Sequence, residues 1–391
     1  MRLPRIPILA QVSSAHFVSH IHILAIPALL PLLPAQLGVN FVELGIAVSI
    51  FNVVSAFVQI PLGFAVDRFG ARAVLLAGLV LGSASYIFLA LFPSYYGLLV
   101  AMTLAGAANG VYHPADYAIL SQSIDESHMG RAFSIHSFSG FLGSAVTPAL
   151  LTTIATFISI PAAIGVTGLL GLLAILPFVC SQSHEAPAGA VQKETPQHTK
   201  KSGSNILTLP ILILTLLFVL LSLSTTSIER FSVSALIMGY ETTFPVANAA
   251  LTAFLFCSAF GVLSGGLLAD KTERHGYVAA IAFAFAAVLT AIVAYWSLPS
   301  FILIALLAVI GFLTGVIVPS RDMLVKTAAP KGSEGKVFGV VTTGFNIGGA
   351  LGPPLFGLLL DLRLPSAIFW SAIIFMILTV AITCFQEKRT V

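Results

Sequence analysis

Residues 63–72 read GFAVDRFGAR and residues 266–275 read GLLADKTERH, with a glycine and an aspartate at matching positions. Beyond these stretches, further glycines and prolines recur at a separation of 205 residues. The recurring pairs are Gly106 and Gly311, Gly110 and Gly315, Pro114 and Pro319, Gly143 and Gly348, and Pro148 and Pro353. Repetition at a nearly constant separation predicts a chain built from two structurally related halves.

The amino-acid composition excludes an ordinary soluble domain, in which roughly 25% of the residues are charged. Here 58% of the 391 residues are hydrophobic and 8% are charged, and the mean hydropathy is +1.02. Apolar runs of about 20 residues or more alternate with short polar breaks, and this is the length of a helix that crosses a bilayer. We therefore expect an all-α membrane protein.

The polar breaks delimit twelve predicted transmembrane spans. They cover residues 7–36, 42–66, 73–92, 95–121, 129–156, 159–180, 206–237, 245–268, 276–296, 299–323, 335–360 and 365–385. With the N-terminus inside, 15 of the 18 lysines and arginines fall in cytoplasmic segments, while Arg363 lies in an outer loop and Arg230 and Arg321 lie within spans. Because basic residues are retained on the cytoplasmic side, both termini are predicted to be cytoplasmic.

One long polar segment, residues 181–205, divides the chain and predicts a flexible cytoplasmic linker. It separates an N-terminal six-helix bundle, residues 1–180, from a C-terminal six-helix bundle, residues 206–391. Two parallel six-span halves are the architecture of one large group of secondary transporters.

The stretch 63–72 resembles the G-x-x-x-D-R-x-G-x-R signature of the major facilitator superfamily, and it joins spans two and three as that signature does. The resemblance covers the whole chain and implies the major facilitator fold in the cell inner membrane. HPADYAILS, residues 113–121, and MGRAFSIHSFSGFLGSA, residues 129–145, most resemble bacterial exporters of the fosmidomycin-resistance type.

The resemblance implies a conformational-switch motif, in which Asp67 joins a charge network that holds the two halves together when the outside is open. The corresponding residues are Gly63, Asp67, Arg68, Gly70, Arg72, Arg131 and Asp270. The resemblance also implies that spans 1, 4, 7 and 10 line a central cavity between the halves.

Nearly all of the ionisable residues at membrane depth fall on those four spans. They are His16, His20 and His22 on span 1, His113 and Asp116 on span 4, Glu229 and Arg230 on span 7, and Arg321 and Asp322 on span 10. His136 on span 5 is the exception. Because ionisable groups within a membrane usually face a water-filled cavity, we assign all of these except His22 and His136 to the substrate and proton pathway.

Helix geometry places His16 and His20 on one face of span 1 and turns His22 away from it. His113 and Asp116 share a face of span 4, where a carboxylate beside an imidazole can take up and release protons near neutral pH. We predict that Asp116, with His113 or His20, is the protonation site.

Two other roles remain open for these residues. Asp116 can instead pair with Arg321, its counterpart in the repeat, and lock the two halves together. His16, His20, His113 and Asp116 also offer three nitrogens and one oxygen, which are ligand types of a zinc site. Their spacing is not compact, so we predict neither a metal nor another cofactor.

We predict a secondary transporter, and not an enzyme, that exports a small organic solute in exchange for protons. Arg321 or Arg230 would anchor an anionic or zwitterionic substrate. Met102 stands where proton-driven drug antiporters carry an arginine, so the histidine–aspartate group would have to replace that residue. The alternatives are a proton-coupled importer of a nutrient or metal chelate, a lipid flippase and a membrane receptor. We expect a functional monomer that interacts with the solute, protons and the bilayer but with no nucleic acid.

Overall fold

The computed structural model describes residues 6–125, 128–180, 208–269, 271–272, 274–328 and 334–390. The predicted linker and Asp270 of the predicted switch motif lie outside these ranges. The described residues form helices joined by short loops. They are α1 (Ile8–Leu29), α2 (Leu33–Leu37), α3 (Phe41–Phe69), α4 (Ala71–Leu91), α5 (Tyr95–Ser123), α6 (Met129–Phe157), α7 (Ile160–Leu173), α8 (Leu176–Cys180), α9 (Leu209–Gly239), α10 (Phe244–Ala269), α11 (His275–Tyr295), α12 (Ser300–Ala328), α13 (Glu334–Asp361) and α14 (Ser366–Thr390).

The long helices coincide with the twelve predicted spans, with α2 following α1 and α8 continuing α7 inside the first and sixth spans. Ten of these spans are long and apolar enough to cross a membrane by length and composition. The other two are α5 and α13, whose apolar character is diluted by Asn109, His113 and Asp116 in α5 and by glycines and prolines in α13. The prediction of an all-α membrane protein is confirmed.

Helix packing repeats between the two halves of the chain. In the first half α1 packs on α6, α5 packs on both α3 and α4, and α4 packs on α7. In the second half the same relations join α9 to α13, α12 to both α10 and α11, and α11 to α14. The two halves are therefore pseudo-symmetric bundles, and they meet chiefly through α3 against α13 and α6 against α10.

The outer ends of α3 and α13 are tightly joined. The Asp361 carboxylate at the end of α13 accepts the N–H groups of Phe41 and Val42, at 3.0 and 2.8 Å, where α3 begins. A β-carbon at Gly45 would collide with the Pro353 carbonyl group, so glycine permits this close approach. One turn further along α3, Ser49 and Asn52 donate hydrogen bonds of 2.6 and 2.9 Å to backbone carbonyls of α13.

The contact of α6 with α10 also reaches the outer side. Asn248 donates a 2.8 Å hydrogen bond to the Thr152 hydroxyl, and the Phe138 and Phe260 rings meet further inward with centroids 5.9 Å apart. A recess of about 630 Å³ lies beside this contact, lined by threonines, apolar side chains and Asn248. No charged side chain is among its lining residues.

The inner ends of the helices that meet across the halves are separated. Gly63 on α3, Gly266 on α10 and Gly339 on α13 have open space where a β-carbon would lie. Asp67, one turn beyond Gly63, is exposed. Among the described residues, contact at the outer ends together with open space at these inner glycines indicates a central space open toward the side predicted to be cytoplasmic.

Candidate functional site

Five side chains from three helices of the first half form one group, which we call the histidine–aspartate cluster. Its members are His16 and His20 on α1, His113 and Asp116 on α5, and His136 on α6. Asp116, His136 and His16 are almost completely buried, with 0%, 1% and 5% of their surface exposed. His20 is half-buried and His113 is exposed. The cluster therefore extends from the interior of the bundle to an accessible surface.

Asp116 is the centre of the cluster. One carboxylate oxygen, Oδ2, lies 3.5 Å from His16 Nδ1 and 3.5 Å from His136 Nε2. The two imidazole rings stack on each other with centroids 4.0 Å apart. Among the described residues, neither Asp116 oxygen has a hydrogen-bond partner, and the same holds for both nitrogens of His136. A buried carboxylate without a donor is unfavourable unless a cation accompanies it.

The remaining histidines connect this buried centre to the accessible side. His20 lies edge-on to His16 with centroids 4.8 Å apart, and its Nδ1 is 2.9 Å from the Ser144 hydroxyl. The His113 ring is 5.7 Å from the His16 ring and 5.8 Å from the ring of Tyr117. Tyr117 is 46% exposed although it lies within a membrane-spanning helix. This row of rings gives the buried carboxylate a polar route toward the central space.

Local sequence features create the room for the cluster. Gly140 on α6 faces His16 and His20, and a β-carbon there would lie 2.7 Å from both rings. On α5, Pro114 lies between His113 and Asp116 and has no N–H to donate, which loosens the helix at that point. Small residues and a proline thus admit four imidazoles and a carboxylate into a helix bundle.

His22 takes no part in the cluster. Its Nε2 lies 3.2 Å from the Thr167 carbonyl oxygen, its ring is 5.0 Å from that of Tyr86, and the Tyr86 hydroxyl donates to the His22 carbonyl. Its position on the opposite face of α1 follows the helix geometry predicted from the sequence. His22 therefore packs α1 against α4 and α7.

The buried part of the cluster brings three possible metal-ligand atoms near one another. One ligand atom from each of His16, Asp116 and His136 lies within 4.8 Å of the other two. This set differs from the one considered in the sequence, because His136 takes the place of His20 and His113. It supplies three of the four protein ligands that a closed zinc site requires.

Arg321 and Asp322 lie on α12, at positions equivalent to Asp116 and Tyr117 in the repeat. The Arg321 Nε–H donates to Asp322 Oδ1 at 3.2 Å. The guanidinium carbon lies 4.6 Å from the Phe345 ring centroid and 5.4 Å from that of Phe218. The alternative pairing of Arg321 with Asp116 is not formed, because the described ion-pair partners of Asp116 are His16 and His136.

The charged parts of α5 and α12 face each other across the central space. Asp322 on α12 lies near Tyr117 on α5. The Asp322 and Arg321 side chains are 46% and 20% exposed. The α5 side thus presents His113 and Tyr117, with Asp116 buried behind them, and the α12 side presents Arg321 and Asp322.

Glu229 and Arg230 lie on the outer part of α9, away from these groups, and both are half-buried. The Arg230 Nε is buried without a hydrogen-bond partner among the described residues. The structure therefore does not bring Glu229 or Arg230 into the histidine–aspartate cluster or to Arg321.

The predicted switch motif lies at the exposed inner ends of its helices. Asp67 and Gly63 line a recess of about 380 Å³ together with Pro114 and apolar side chains. The Arg68 guanidinium lies 5.3 Å from the Phe69 ring centroid. Gly70, Arg72 and Arg131 of the motif do not line this recess. Gly70 joins α3 to α4 with a φ of 90°, Arg72 donates to the Phe178 carbonyl, and Arg131 is exposed.

Sequence reasoning missed two groups. The sequence assignment of the pathway does not include His136, yet His136 is the one ionisable residue inside the remaining spans, and this isolation is the signal that points to it. Asp361 was not singled out because it lies at a span end, where an acidic residue is unremarkable. Its position beyond the N-terminus of α3 depends on the packing of the two halves.

Comparisons with known proteins agree with this architecture. The family model described as Major Facilitator Superfamily matches residues 12–244 and 219–390. The chain is 26% identical over 364 residues to the Fosmidomycin resistance protein of Escherichia coli (strain K12), covering 90% of this chain and 86% of that protein. It is also 26% identical over 379 residues to Probable anion transporter 6 of Oryza sativa subsp. japonica, covering 87% and 86% of the two chains.

Among solved structures, the chain resembles a bacterial homolog of the human lysosomal transporter Spinster in its inward-facing and unoccupied conformation. The TM-score is 0.78 at 12% sequence identity, and the match covers 97% of this chain and 96% of that chain. At this level of identity the likeness shows the fold alone.

Proposed function

Because the chain belongs to the major facilitator superfamily, we propose that it exports a small organic solute across the cell inner membrane in exchange for protons. The observation that carries the proposal is the Asp116 carboxylate, which is 0% exposed and contacts two imidazoles without a hydrogen-bond donor. Asp116 belongs to the first half of the chain, while Arg321 belongs to the second half. A proton site in one half and an anion site in the other allow each ligand to bias the arrangement of the two halves.

A proton is the smallest cation that can accompany the buried carboxylate. Ionised and alone, such a group is destabilised by several kcal/mol. The His16 and His136 nitrogens at 3.5 Å can share a proton with the Asp116 carboxyl group. Loading and unloading of this proton changes the net charge inside the first half by one unit. It can therefore bias two arrangements of the halves.

The helices that pack against α5 carry several titratable groups near Asp116. They are His16 and His20 on α1, His136 on α6, Tyr112, His113 and Tyr117 on α5 itself, Tyr86 on α4, and Asp67 near the inner end of α3. None of them is a lysine or an arginine. In this proposal the charge of the Asp116 carboxylate is balanced by protons shared with His16 and His136.

Export and an anionic or zwitterionic solute are supported by two of the relatives. One bears the name of a resistance protein, and removal of a compound from the cell is a direct route to resistance. Another is named as a probable anion transporter, which suits an arginine on the cavity wall. We take Arg321 as the better anchor of the two predicted arginines, because it lies at the depth of Asp116 and two aromatic rings orient its guanidinium.

The test uses everted membrane vesicles that contain a pH-sensitive dye and an acid interior. A panel of organic anions, zwitterions and antibiotics is added outside, to the exposed cytoplasmic face. Wild type is compared with Asp116→Asn and with Asp125→Asn, a matched control at an exposed aspartate beyond the end of α5. Size-exclusion profiles of the purified variants show whether each one is folded.

At least one compound is expected to dissipate the proton gradient in wild type and in Asp125→Asn vesicles but not in Asp116→Asn vesicles. Loss of the coupling group abolishes exchange, so the expected reduction is complete within error. Dissipation at the wild-type rate in Asp116→Asn would remove Asp116 from the coupling step. Solute movement without proton movement in wild type would contradict proton exchange altogether.

Transport of a metal or its chelate is the alternative that a specific observation favours, namely the close approach of His16, Asp116 and His136. The same vesicles separate the two functions. Proton exchange with an organic solute continues after treatment with EDTA, whereas transport that needs a bound metal is lost and returns when zinc is added.

A further inference from the structure

We propose that the transported solute is a zwitterion, with its anionic group on Arg321 and its cationic group on Asp322. The inference rests on the proposed transport function and narrows its substrate class. It also assigns Asp322 a role in selectivity, as the residue that disfavours simple anions.

Neighbouring side chains orient the Arg321 guanidinium and leave its two terminal nitrogens free to bind a solute. The Phe345 and Phe218 rings lie 4.6 and 5.4 Å from the guanidinium carbon and 4.7 Å from each other. The Nε–H is occupied by Asp322 at 3.2 Å. The two terminal nitrogens of the Arg321 guanidinium have no hydrogen-bond partner among the described residues. A guanidinium held by aromatic faces, with both terminal nitrogens free, can bind a carboxylate or phosphonate through two parallel hydrogen bonds.

Asp322 makes this anchor selective. Only its Oδ1 is engaged, by the Arg321 Nε–H, while the side chain remains 46% exposed. An anion that binds Arg321 approaches this second negative charge at short range, and like charges repel each other. A cationic group on the same solute that reaches the free oxygen of Asp322 converts the repulsion into attraction. The pair therefore favours zwitterions through both an attractive and a repulsive element.

Among the described residues around Arg321, no other acidic side chain offers the cationic group of the solute a better position than Asp322. The facing wall presents Tyr117 and His113, and the Asp116 carboxylate behind them is buried and contacts His16 and His136. Glu229 lies on the outer part of α9, a different depth from Arg321. Because Arg321 and Asp322 are consecutive and already in contact, the two charges of the solute must be only a few bonds apart.

The test compares matched solutes that differ only by an amino group. Propionate is paired with β-alanine, and ethylphosphonate with 2-aminoethylphosphonate. Binding of each to the purified full-length protein in lipid nanodiscs is measured by calorimetry. The variants are Arg321→Ala, Asp322→Asn and, as a matched control on the same helix, Lys326→Gln at its inner end.

In wild type, the amino compound of at least one pair is expected to bind at least about tenfold more tightly than its partner, since one desolvated charge contact is worth at least this much. Asp322→Asn reduces that preference to less than about twofold, and it strengthens binding of the simple anion because the repulsion is removed. Arg321→Ala is expected to abolish binding of both compounds of the pair, while Lys326→Gln is expected to keep the wild-type preference for the amino compound. An equal or reversed preference in wild type overturns the proposal, as does the absence of binding by all four compounds at millimolar concentration.

The outcome is independent of the proton-exchange test. If the amino compounds bind selectively but no compound dissipates a proton gradient, the zwitterion site stands and the coupling mechanism fails. If simple anions exchange with protons and the amino group confers no advantage, the proposed function stands and the selectivity of Asp322 fails. An Asp322→Asn protein that keeps the wild-type preference also refutes the role of Asp322.

Discussion

The outer and inner ends of α3 use the same face of the helix, yet only the outer end meets α13. Gly45, Ser49 and Asn52 lie on this face and contact α13 directly. Gly63 continues the same face toward the cytoplasm and has open space in front of it. The same face of α3 therefore contacts α13 at its outer end and has no contact in front of Gly63 at its inner end.

This difference shows how the chain can alternate between two states. At the outer end the halves are held by close backbone approach and by the Asp361 carboxylate at the N-terminus of α3. At the inner end, Gly63 has open space in front of it and Asp67 is exposed, so both are available for contact with the second half. We expect that the two ends of this interface do not close together, which would give access from one side at a time.

The largest effect is expected from Gly45→Ala. Its added β-carbon collides with the Pro353 backbone, and overpacking of this kind costs about 1–3 kcal/mol. The outward-closed state should therefore be reduced roughly 5- to 150-fold relative to the open one. The shift is measured in a protein without Cys180, Cys257 and Cys384 that carries a new cysteine at Ser49. A membrane-impermeant maleimide applied from outside should label this cysteine faster in Gly45→Ala.

The matched control for that variant is Gly63→Ala on the same face of α3. Its β-carbon meets nothing within 4 Å in this state, so the labelling rate at the outer end should not rise. Equal labelling of the two variants would show that the outer contact does not set the balance between the states.

An intermediate effect is expected from Asp361→Ala, which removes the acceptor for two N–H groups of α3. Loss of such a helix cap costs about 0.5–2 kcal/mol. Spin labels at Tyr96 and Tyr295, which are exposed at the outer ends of the two halves, report the separation as a distance distribution. The distribution should gain a population at longer distance.

Glu43→Ala is the control for Asp361→Ala. Glu43 accepts the Asn40 N–H at 2.8 Å and therefore caps the same helix from within the first half. It should leave the distance between the labels unchanged. If both variants widen the distribution equally, then helix capping alone, and not contact between the halves, explains the effect.

The smallest effect is expected from Asn248→Ala, which removes the hydrogen bond to Thr152 between α10 and α6. A neutral hydrogen bond contributes about 0.5–1.5 kcal/mol, and the loss is partly offset because the Asn248 Oδ1 is buried without a partner among the described residues. The same spin labels should show a slight widening. Asn109→Ala, which breaks a 2.8 Å bond to Ser55 inside the first half, should show none.

The relative size of these effects is itself informative. If Asn248→Ala exceeded Asp361→Ala, the α6–α10 contact and not the α3–α13 contact would hold the outer side closed.

Much of the fold could be predicted because the membrane imposes a strong constraint on composition. A helix that crosses hydrocarbon must be apolar over about 20 residues, so polar breaks in the sequence mark the loops. The repeat of glycines and prolines predicted the pseudo-symmetry seen in the packing of α1–α7 and α9–α14.

The candidate site could be predicted only in part. Helix periodicity placed His16 and His20 on one face of α1 and His22 on another, and the contacts follow that geometry. Periodicity within α6 gave no reason to join His136 to Asp116, since that contact depends on how α6 lies against α1 and α5. For the same reason Arg321 was not separable from Arg230, because the aromatic rings that orient Arg321 come from α9 and α13.

The sequence by itself determined the class of fold, the number of spans, their orientation and the helices that carry charge, because each follows from local apolarity and charge along the chain. Tertiary structure alone decided which histidines surround Asp116, that Arg321 contacts Asp322 and two phenylalanines, and that the halves are joined at their outer ends. These depend on the rotation and tilt of each helix against its neighbours. Such packing is set by side-chain shape across the whole bundle and leaves no periodic signal in one segment of sequence.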